Sequence, residues 1–215
     1  MGDSIKTFQN YSSEVTKCLR KLNSKKITLL ENKIYQALTK SKKIVFLGNG
    51  GSAANSLHIA GDYIKTFSLL GLKPRISTPC DNLCFLTAAS NDVDYTETFR
   101  IYLESMLEDN SVIIFLSGSG NSLNLIKCCN SKIFSNFKDS ESWSITAFEG
   151  GKISRLTDEF LHIPTKDMEV AEDLQLIIFH YIKQKIYQEI TKSGDFKKSS
   201  NCDKYFKRTI LNEIS

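Results

Sequence analysis

The sequence predicts an α/β protein, a three-layer sandwich in which helices cover both faces of a parallel sheet. Short apolar runs alternate along the chain with longer segments in which apolar residues recur at helical period. Alternating strands and helices are typical of parallel sheets, whose strands are buried on both faces. Two turns rich in Gly and Ser each follow an apolar run directly, and in such sheets ligands bind beyond the carboxyl ends of the strands.

Two amphipathic helices, over residues 4–22 and 25–41, are predicted ahead of the first strand. Apolar residues fall near one face of each segment. Helices in this position either cover their own sheet or pack on a partner subunit. The apolar residues are Ile5, Phe8, Val15, Cys18, Leu19 and Leu22 in the first helix, and Ile27, Leu30, Ile34 and Leu38 in the second.

Five strands are predicted, because five short apolar runs are bounded by turn-forming residues. The segments between them have helical period, and the last helix is the longest. The predicted strands cover residues 43–47, 72–77, 111–116, 143–148 and 159–163. The predicted helices of this part begin at residues 53 and 123 and cover residues 80–90, 95–107 and 168–191.

The bulk composition indicates one domain, residues 1–191, followed by a polar, lysine-rich tail, residues 192–215, to which we assign no function. The net charge of +4 is mild, which argues against nucleic acid as the main partner. No apolar stretch reaches the length of a membrane span, and a signal-peptide core is absent. The six cysteines include no CxxC pair, so we expect reduced thiols in a cytoplasmic protein.

The first of the two turns, residues 48–52, has the sequence GNGGS and joins the first strand to a helix. Its glycines let the backbone bend tightly, and free N–H groups at the helix N-terminus can bind an anion. The helix then carries His58, Asp62 and Lys65 at i, i+4 and i+7, so these three side chains share one face. A Gly-rich turn alone is a weak signal, because it also serves as a plain strand-to-helix connection.

The second turn, residues 117–122, strengthens the hypothesis of an anion site. It contains three hydroxyls and two glycines, and it lies between a strongly apolar strand and a helix. Hydroxyl groups and free backbone N–H groups suit a phosphate monoester, which needs several neutral donors. Two such turns at the ends of strands in one parallel sheet predict a phosphate-binding cleft.

The motifs of the chain, taken in order, resemble a sugar isomerase (SIS) domain, and more narrowly the sedoheptulose 7-phosphate isomerases, also called phosphoheptose isomerases. The resemblance covers roughly residues 1–191 and leaves out the tail. It rests on the first turn with its helix, Asn91-Asp92, the second turn, Gly150-Gly151-Lys152, and Glu172-Asp173 with His180.

This resemblance implies a five-stranded, flavodoxin-like parallel sheet. It also implies a homotetramer with active sites at the subunit interfaces. The implied reaction interconverts sedoheptulose 7-phosphate and glycero-manno-heptose 7-phosphate, for heptose-containing surface polysaccharides. The expected partner is therefore a phosphorylated sugar, with neither nucleic acid nor membrane.

The resemblance also implies which residues form the site. The catalytic carboxylate and histidine fall on Asp62 and His180, which can share the proton transfers of an enediol isomerisation. Some members bind Zn²⁺, which polarises the carbonyl, and the four ligand positions are His58, Asp62, Glu172 and His180. Four serines are implied to bind the phosphate: Ser52, Ser117, Ser119 and Ser122. The other implied substrate-binding positions are Asn49, Gly50, Gly51, Lys65, Asn91, Asp92 and Glu172.

Two residues depart from the best-known members, which have Glu at the position of Asp62 and Gln at the position of Glu172. Asp62 together with Lys65 resembles the branch of the family found in capsule and surface-polysaccharide pathways. Helical spacing offers Asp173 as an alternative to Glu172, because Asp173 stands seven residues before His180 and shares its face. The resemblance favours Glu172, and both residues remain candidates.

Two other functions compete with a phosphoheptose isomerase. Non-catalytic SIS proteins bind a phosphosugar as regulators or bind a protein partner, and they would keep the serines without needing His58, Asp62 and His180. An isomerase for a different ketose phosphate would keep both sets of residues. The presence of all three side chains favours an enzyme.

Overall fold

The computed structural model describes residues 7–130 and 133–193, which contain a five-stranded sheet. The strands are β1 Lys43–Gly48, β2 Arg75–Ser77, β3 Val112–Ser117, β4 Glu141–Thr146 and β5 Glu159–His162. They lie in the order β2-β1-β3-β4-β5, and every neighbouring pair is parallel. This flavodoxin-like order confirms the predicted fold class. The chain adds β2 on one side of β1 and β3 on the other, and such sheets bind ligands at this switch point between β1 and β3.

Helices cover both faces of the sheet. The first, second, third and last helices share one hydrophobic core with the sheet, and the other three share a second core on the opposite face. None of the helices in the described ranges combines the length and the apolar character that crossing a membrane requires. The helices are α1 Phe8–Lys21, α2 Ser24–Thr39, α3 Gly50–Leu69, α4 Leu83–Asp92, α5 Tyr95–Met106, α6 Leu123–Asn130 and α7 Met168–Ser193.

The strands belong to both cores because successive side chains of a strand point to opposite faces. In β1, Ile44 and Phe46 lie in the core beneath α3 and α7, whereas Val45 and Leu47 lie in the core beneath α5 and α6. All six residues of β3 are buried, as expected for a central strand. This two-sided burial explains why the two central strands, β1 and β3, are nearly continuous apolar runs in the sequence.

Several element boundaries differ from the prediction; β2, for example, begins at Arg75 rather than at residue 72. Two of the differences have a local cause. The helix predicted over residues 80–90 is preceded by a 3-10 turn, Pro79–Asp81, and the side chain of Asn82 then accepts a backbone N–H in the first turn of α4 at 2.9 Å. The fourth strand ends at Thr146, two residues early. Phe148 has a φ of 50°, in the left-handed region, and therefore cannot continue the strand.

The two ends of the prediction fall partly outside the described residues. The first predicted helix begins at residue 4, whereas the described part begins at residue 7 and α1 begins at Phe8. The predicted tail lies outside the described residues from residue 194 onward. α7 ends at Ser193, two residues beyond its predicted end.

Candidate active site

The first turn connects β1 directly to α3. The helix begins at Gly50, three residues before its predicted start, so its N-terminal N–H groups lie inside the turn. Gly50 has a φ of 54°, which residues with a Cβ rarely adopt. Asn49 is the N-cap residue, with extended dihedral angles. The turn therefore presents a helix N-terminus, with its free donors and positive dipole end, at the carboxyl edge of the sheet.

A carboxylate from α7 lies at this helix end. Glu172 packs so closely on Gly51 that a Cβ at Gly51 would overlap the carboxylate. Burial raises the pKa of Glu172, and a hydrogen bond from the backbone of Ser52 offsets only part of that increase. Gly51 is thus required for the approach of Glu172, which lies where an anion bound at the N-terminus of α3 would lie.

The second turn is closed by its own groups and by the turn that follows β4. The hydroxyl oxygen of Ser117 accepts the backbone N–H of Gly120 at 3.1 Å. Gly120 has a φ of 65°, and a Cβ there would overlap the carbonyl of Gly150. The second turn and the turn after β4 therefore pack backbone against backbone, and this contact requires glycine in both of them.

A cavity of about 370 Å³ lies beside the second turn. Ser119 and Asn121 line it from the second turn, and Lys152 and Arg155 line it from the segment after β4. The Ser119 hydroxyl oxygen accepts the backbone N–H of Asn121 at 3.2 Å, which leaves its own O–H available as a donor. Glu149 also lines the cavity, and its carboxylate is paired with Lys166 at 2.8 Å. The hydroxyl and amide groups and the two remaining cations suit an anionic ligand.

A pair of side-chain amides links the first turn to α6, the helix that follows the second turn. Asn49 in the first turn and Asn124 in α6 each donate to the other's amide oxygen, at 2.9 Å in both directions. The hydroxyl of Tyr95 also donates to Asn49, at 2.6 Å. These bonds fix the first turn relative to the second across the point where the strand order reverses.

The His–Asp–His cluster, formed by His58, Asp62 and His180, lies between α3 and α7. One potential ligand atom from each side chain lies within 4.8 Å of the other two. The Nε2 atoms of the two histidines are 2.9 Å apart, and their rings meet edge to face at 78°. Two imidazole nitrogens and a carboxylate oxygen therefore converge on one point, as the ligands of a metal ion do.

Two lysines contact the carboxylate of this cluster. Lys65 lies 2.9 Å from Oδ1 of Asp62, and Lys183 donates to Oδ2. Burial raises the pKa of Asp62, but the hydrogen bonds from Lys183 and Lys65 outweigh burial and hold the pKa below its ordinary value. Burial also lowers the pKa of His180, and the neighbouring Lys183 and His58 lower it further. At neutral pH the cluster therefore combines an ionised carboxylate with a neutral His180.

Comparison with known proteins identifies the family. The family model for the SIS domain matches residues 7–132. A phosphoheptose isomerase of Aneurinibacillus thermoaerophilus is 30% identical over 187 residues, which are 85% of this chain and 91% of that protein. The chain belongs to the phosphoheptose isomerase family of SIS-domain proteins. A phosphoheptose isomerase of Helicobacter pylori is 32% identical over 153 residues, 69% of this chain and 76% of that protein.

Solved structures of this family share the fold. A phosphoheptose isomerase from Francisella tularensis superposes with a TM-score of 0.75 at 16% identity, over 84% of this SIS-domain chain and 94% of that one. A phosphoheptose isomerase from Neisseria gonorrhoeae gives a TM-score of 0.72 at 23% identity, over 83% and 95% of the two chains.

Glu172 lies apart from the other three metal ligands that the SIS resemblance implies. The carboxylate of Glu172 contacts the first turn, and the group of converging ligands is His58, Asp62 and His180. Asp173, the alternative suggested by spacing, accepts a hydrogen bond from Tyr11 of α1 at 2.6 Å. Of the two neighbouring acids, Glu172 therefore faces the turn and Asp173 faces α1.

Only some of the substrate-binding residues implied by the SIS resemblance lie near the turns or the cluster with their polar groups available. The hydroxyl oxygen of Ser52 is buried and accepts from Gln175 of α7 at 3.3 Å, so it faces the helix interface. Asn91 and Asp92 end α4, are exposed, and bond to each other at 2.9 Å. Within the described ranges, none of the hydrogen bonds joins these last two side chains to the cluster.

Sequence reasoning missed several polar residues of this SIS site. Lys183 was one, because a lysine three residues after a histidine on a helix reads as a solvated side chain. The buried amides of Asn55 and Gln175 bond each other at 2.9 Å across α3 and α7, and Asn124 links α6 to the first turn. These residues could have been found in the sequence as amides within otherwise apolar helix faces, because a buried polar group requires a hydrogen-bond partner.

Proposed function

We propose that this protein is an aldose–ketose isomerase that interconverts sedoheptulose 7-phosphate and a glycero-manno-heptose 7-phosphate for surface polysaccharide synthesis. The observation that carries the proposal is the convergence of His58, Asp62 and His180 between α3 and α7, on the helix that leads away from the first turn. Relatives named phosphoheptose isomerase, matched over most of both chains, support the same reaction.

The phosphate of the substrate is proposed to bind at the two turns. The second turn offers the hydroxyl of Ser119, and at the N-terminus of α3 the substrate phosphate would replace the carboxylate of Glu172 at the backbone N–H groups. Lys152 and Arg155 add positive charge beside that hydroxyl. Phosphate binding there would hold one end of the sugar while its carbonyl end extends toward the His–Asp–His cluster.

The proton transfers are assigned to His180 and Asp62. Aldose–ketose isomerisation moves a proton between adjacent carbons through an enediol, so it needs a base for the carbon and an acid for the oxygens. Because its pKa is lowered, the imidazole of His180 is neutral at neutral pH and can accept a proton. Asp62, held ionised by its lysines, takes the proton of the substrate hydroxyl and passes it to the neighbouring carbonyl oxygen, so that the carbonyl and hydroxyl positions exchange while His180 returns its proton to the adjacent carbon.

The alternative role of the same cluster, His58, Asp62 and His180, is to hold a divalent cation, for which we propose Zn²⁺. Their two imidazole nitrogens and one carboxylate oxygen match the three protein ligands of a catalytic zinc site. When bound there, zinc would supply Lewis-acid polarisation of a substrate carbonyl. If metal is the agent, chelation abolishes activity, and added Zn²⁺ restores it in the wild type but poorly in Asp62→Asn or His180→Gln.

The decisive experiment is to incubate the purified protein with a panel of ketose phosphates and to follow the products by NMR. Conversion of sedoheptulose 7-phosphate supports the proposal, and conversion of another ketose phosphate alone would reassign the substrate. Binding of phosphosugars without any conversion would place the protein with the non-catalytic SIS regulators.

We further propose a homo-oligomer, a tetramer, whose subunits meet beside the cluster. Four large apolar side chains near the cluster on α3 and α7 are exposed. Gly61, within α3, has open space where a Cβ would stand, which allows a second backbone to approach. Light scattering at micromolar concentration tests the assembly, and a monomer would contradict it. The exposed side chains are Leu57, Ile64, Ile177 and Tyr181.

A cytoplasmic location is also part of the proposal. Five cysteines in the described ranges are free thiols, and two of them, Cys18 and Cys128, are buried. Reduced cysteines are typical of the cytoplasm, where thiol systems keep them from oxidising. Fractionation of the source cells with detection of the protein checks the location.

A further inference from the structure

The contact between Lys183 and Asp62 joins a cation to the candidate metal site. Lys183 lies on α7 three residues after His180, one turn along the helix. Its ammonium donates to Oδ2 of Asp62, while Lys65 lies 2.9 Å from Oδ1 of the same carboxylate. Both oxygens of the only acidic member of the cluster are thus bonded to cations.

The two lysines differ in how firmly they are held. The side chain of Lys65 is 47% exposed, so water screens its charge, whereas the side chain of Lys183 is only 20% exposed. The carboxylate of Asp62 is 12% exposed. An ion pair in such a half-buried place is screened less by water and salt than a pair on the surface. Lys183 is therefore the persistent partner of Asp62.

A divalent cation and Lys183 compete for the same carboxylate. Zinc ligation by Asp62 requires a free oxygen lone pair, and zinc would lie close to an ammonium of the same sign. Repulsion between the two positive charges weakens zinc binding. The donor set of His58, Asp62 and His180 fits zinc, but this chain places a competing positive charge on its carboxylate.

We infer that Lys183 is a positioning residue that holds the carboxylate of Asp62 in the cluster and lowers the affinity of the cluster for divalent metal. The lysine thus sets how much metal the site holds at a given zinc concentration. The inference rests on the metal role assigned to the cluster under the proposed function.

The test measures the Zn²⁺ affinity of the metal-free protein by competition with a chromophoric chelator. Lys183→Met is expected to bind zinc at least about tenfold more tightly than the wild type, because it removes a like charge at ion-pair distance from the ligand carboxylate. Lys183→Arg retains the charge and is expected to bind zinc as the wild type does. Equal or weaker zinc binding by Lys183→Met would overturn the inference.

Two controls locate the effect. Lys192→Met removes an exposed lysine farther along α7 and is expected to leave zinc affinity unchanged. Adding His58→Gln to Lys183→Met is expected to abolish the gain, because the added affinity belongs to the cluster. Lys183→Gln, a polar substitution, serves as the second variant where thermal denaturation shows that Lys183→Met is misfolded, and it is expected to show the same gain.

The outcomes separate this inference from the proposed reaction. A rise in zinc affinity without conversion of any ketose phosphate in the NMR panel leaves the inference standing and rejects the isomerase. Isomerase activity with no measurable zinc binding, in the wild type and in Lys183→Met alike, rejects the inference together with the metal role and retains the reaction.

Discussion

The two turns and the His–Asp–His cluster are both parts of the candidate site, but they are built differently. Each turn consists of consecutive residues, and the second turn is closed by hydrogen bonds between its own backbone and its serines. The cluster joins side chains 122 residues apart, and its geometry depends on the packing of α3 against α7. Within the described ranges, the second turn is independent of α7 in its hydrogen bonds, whereas the first turn, like the cluster, includes part of α3 and contacts α7. We expect changes in the second turn to leave the cluster undisturbed.

The largest expected effect comes from the cluster. His180→Gln and Asp62→Asn should each lower kcat by about 100- to 10,000-fold, the usual contribution of general acid–base groups. The fold should remain intact by circular dichroism, since both substitutions keep the size of the side chain.

Asp173→Asn is the matched control, because this carboxylate on α7 bonds Tyr11 rather than the cluster. Its turnover should stay close to that of the wild type. Full activity in both cluster variants would refute the assigned chemistry and favour a binding protein.

The next effect tests how the second turn is held. Gly120→Ala should lower the free energy of unfolding by about 1–3 kcal/mol, the usual cost of a non-glycine residue in the left-handed region, and the contact with Gly150 adds to it. Urea denaturation measures the loss.

Gly50→Ala separates the cost of the left-handed backbone from the cost of the contact with Gly150. Gly50 also has a positive φ, of 54°, but a Cβ there would meet nothing within 4 Å. Gly50→Ala should therefore lower the free energy of unfolding less than Gly120→Ala does. An equal loss at both positions would mean that the contact between Gly120 and Gly150 contributes little to stability.

A smaller effect is expected from one hydroxyl of the second turn. Ser119→Ala should weaken binding of the phosphorylated sugar by about 1 kcal/mol or more, because it removes a hydrogen bond to a charged group. The KM should rise roughly fivefold or more, with kcat and the Tm nearly unchanged.

Ser52→Ala provides the contrast between the turns. The Ser52 hydroxyl is buried against Gln175, so its loss should lower the free energy of unfolding by roughly 0.5–1.5 kcal/mol. An unchanged KM in Ser119→Ala would show that the second turn does not bind the phosphate.

The smallest effect is a shift in pH dependence. His180 must be neutral to accept a proton, so kcat/KM should fall as the pH drops through its pKa. Burial, then Lys183 and His58, place that pKa below the ordinary 6.5, so the midpoint of the acid limb should lie below 6.5 as well. Rates measured from pH 5 to 8 test this, with His162→Gln as a control because His162 bonds the backbone of Phe148. A midpoint above 6.5 would contradict the assignment.

The sheet and the turns could be predicted from the sequence because their signals are local. Strands buried on both faces read as apolar runs, and the i, i+4 spacing alone places His58 and Asp62 on one face of α3. Which helix supplies the remaining residues is a tertiary property. Spacing along α7 suggested Asp173, yet the two neighbouring acids meet different helices, and spacing cannot tell which neighbour each one faces.

Lys183 illustrates a second limit of sequence reasoning. A lysine on a helix is most often solvated, and only the packing of α7 on α3 brings this one to Asp62. The buried amides of Asn55 and Gln175 pose the same problem, because their partners lie on different helices. Polar residues whose partners lie far away in the sequence are therefore the part of the site that pattern analysis misses.

The position of α7 in the chain has a consequence for biosynthesis. This helix is the last element of the described structure, it contributes nine buried residues, and it carries Glu172, His180 and Lys183. Because synthesis proceeds from the N-terminus, both turns can form on the nascent chain before α7 has left the ribosome. Until then, the apolar surface of α3 that α7 will cover is open to chaperones and to aggregation. Enzymatic activity can therefore appear only after translation has passed residue 193 and α7 has docked, which makes it a reporter of completed folding.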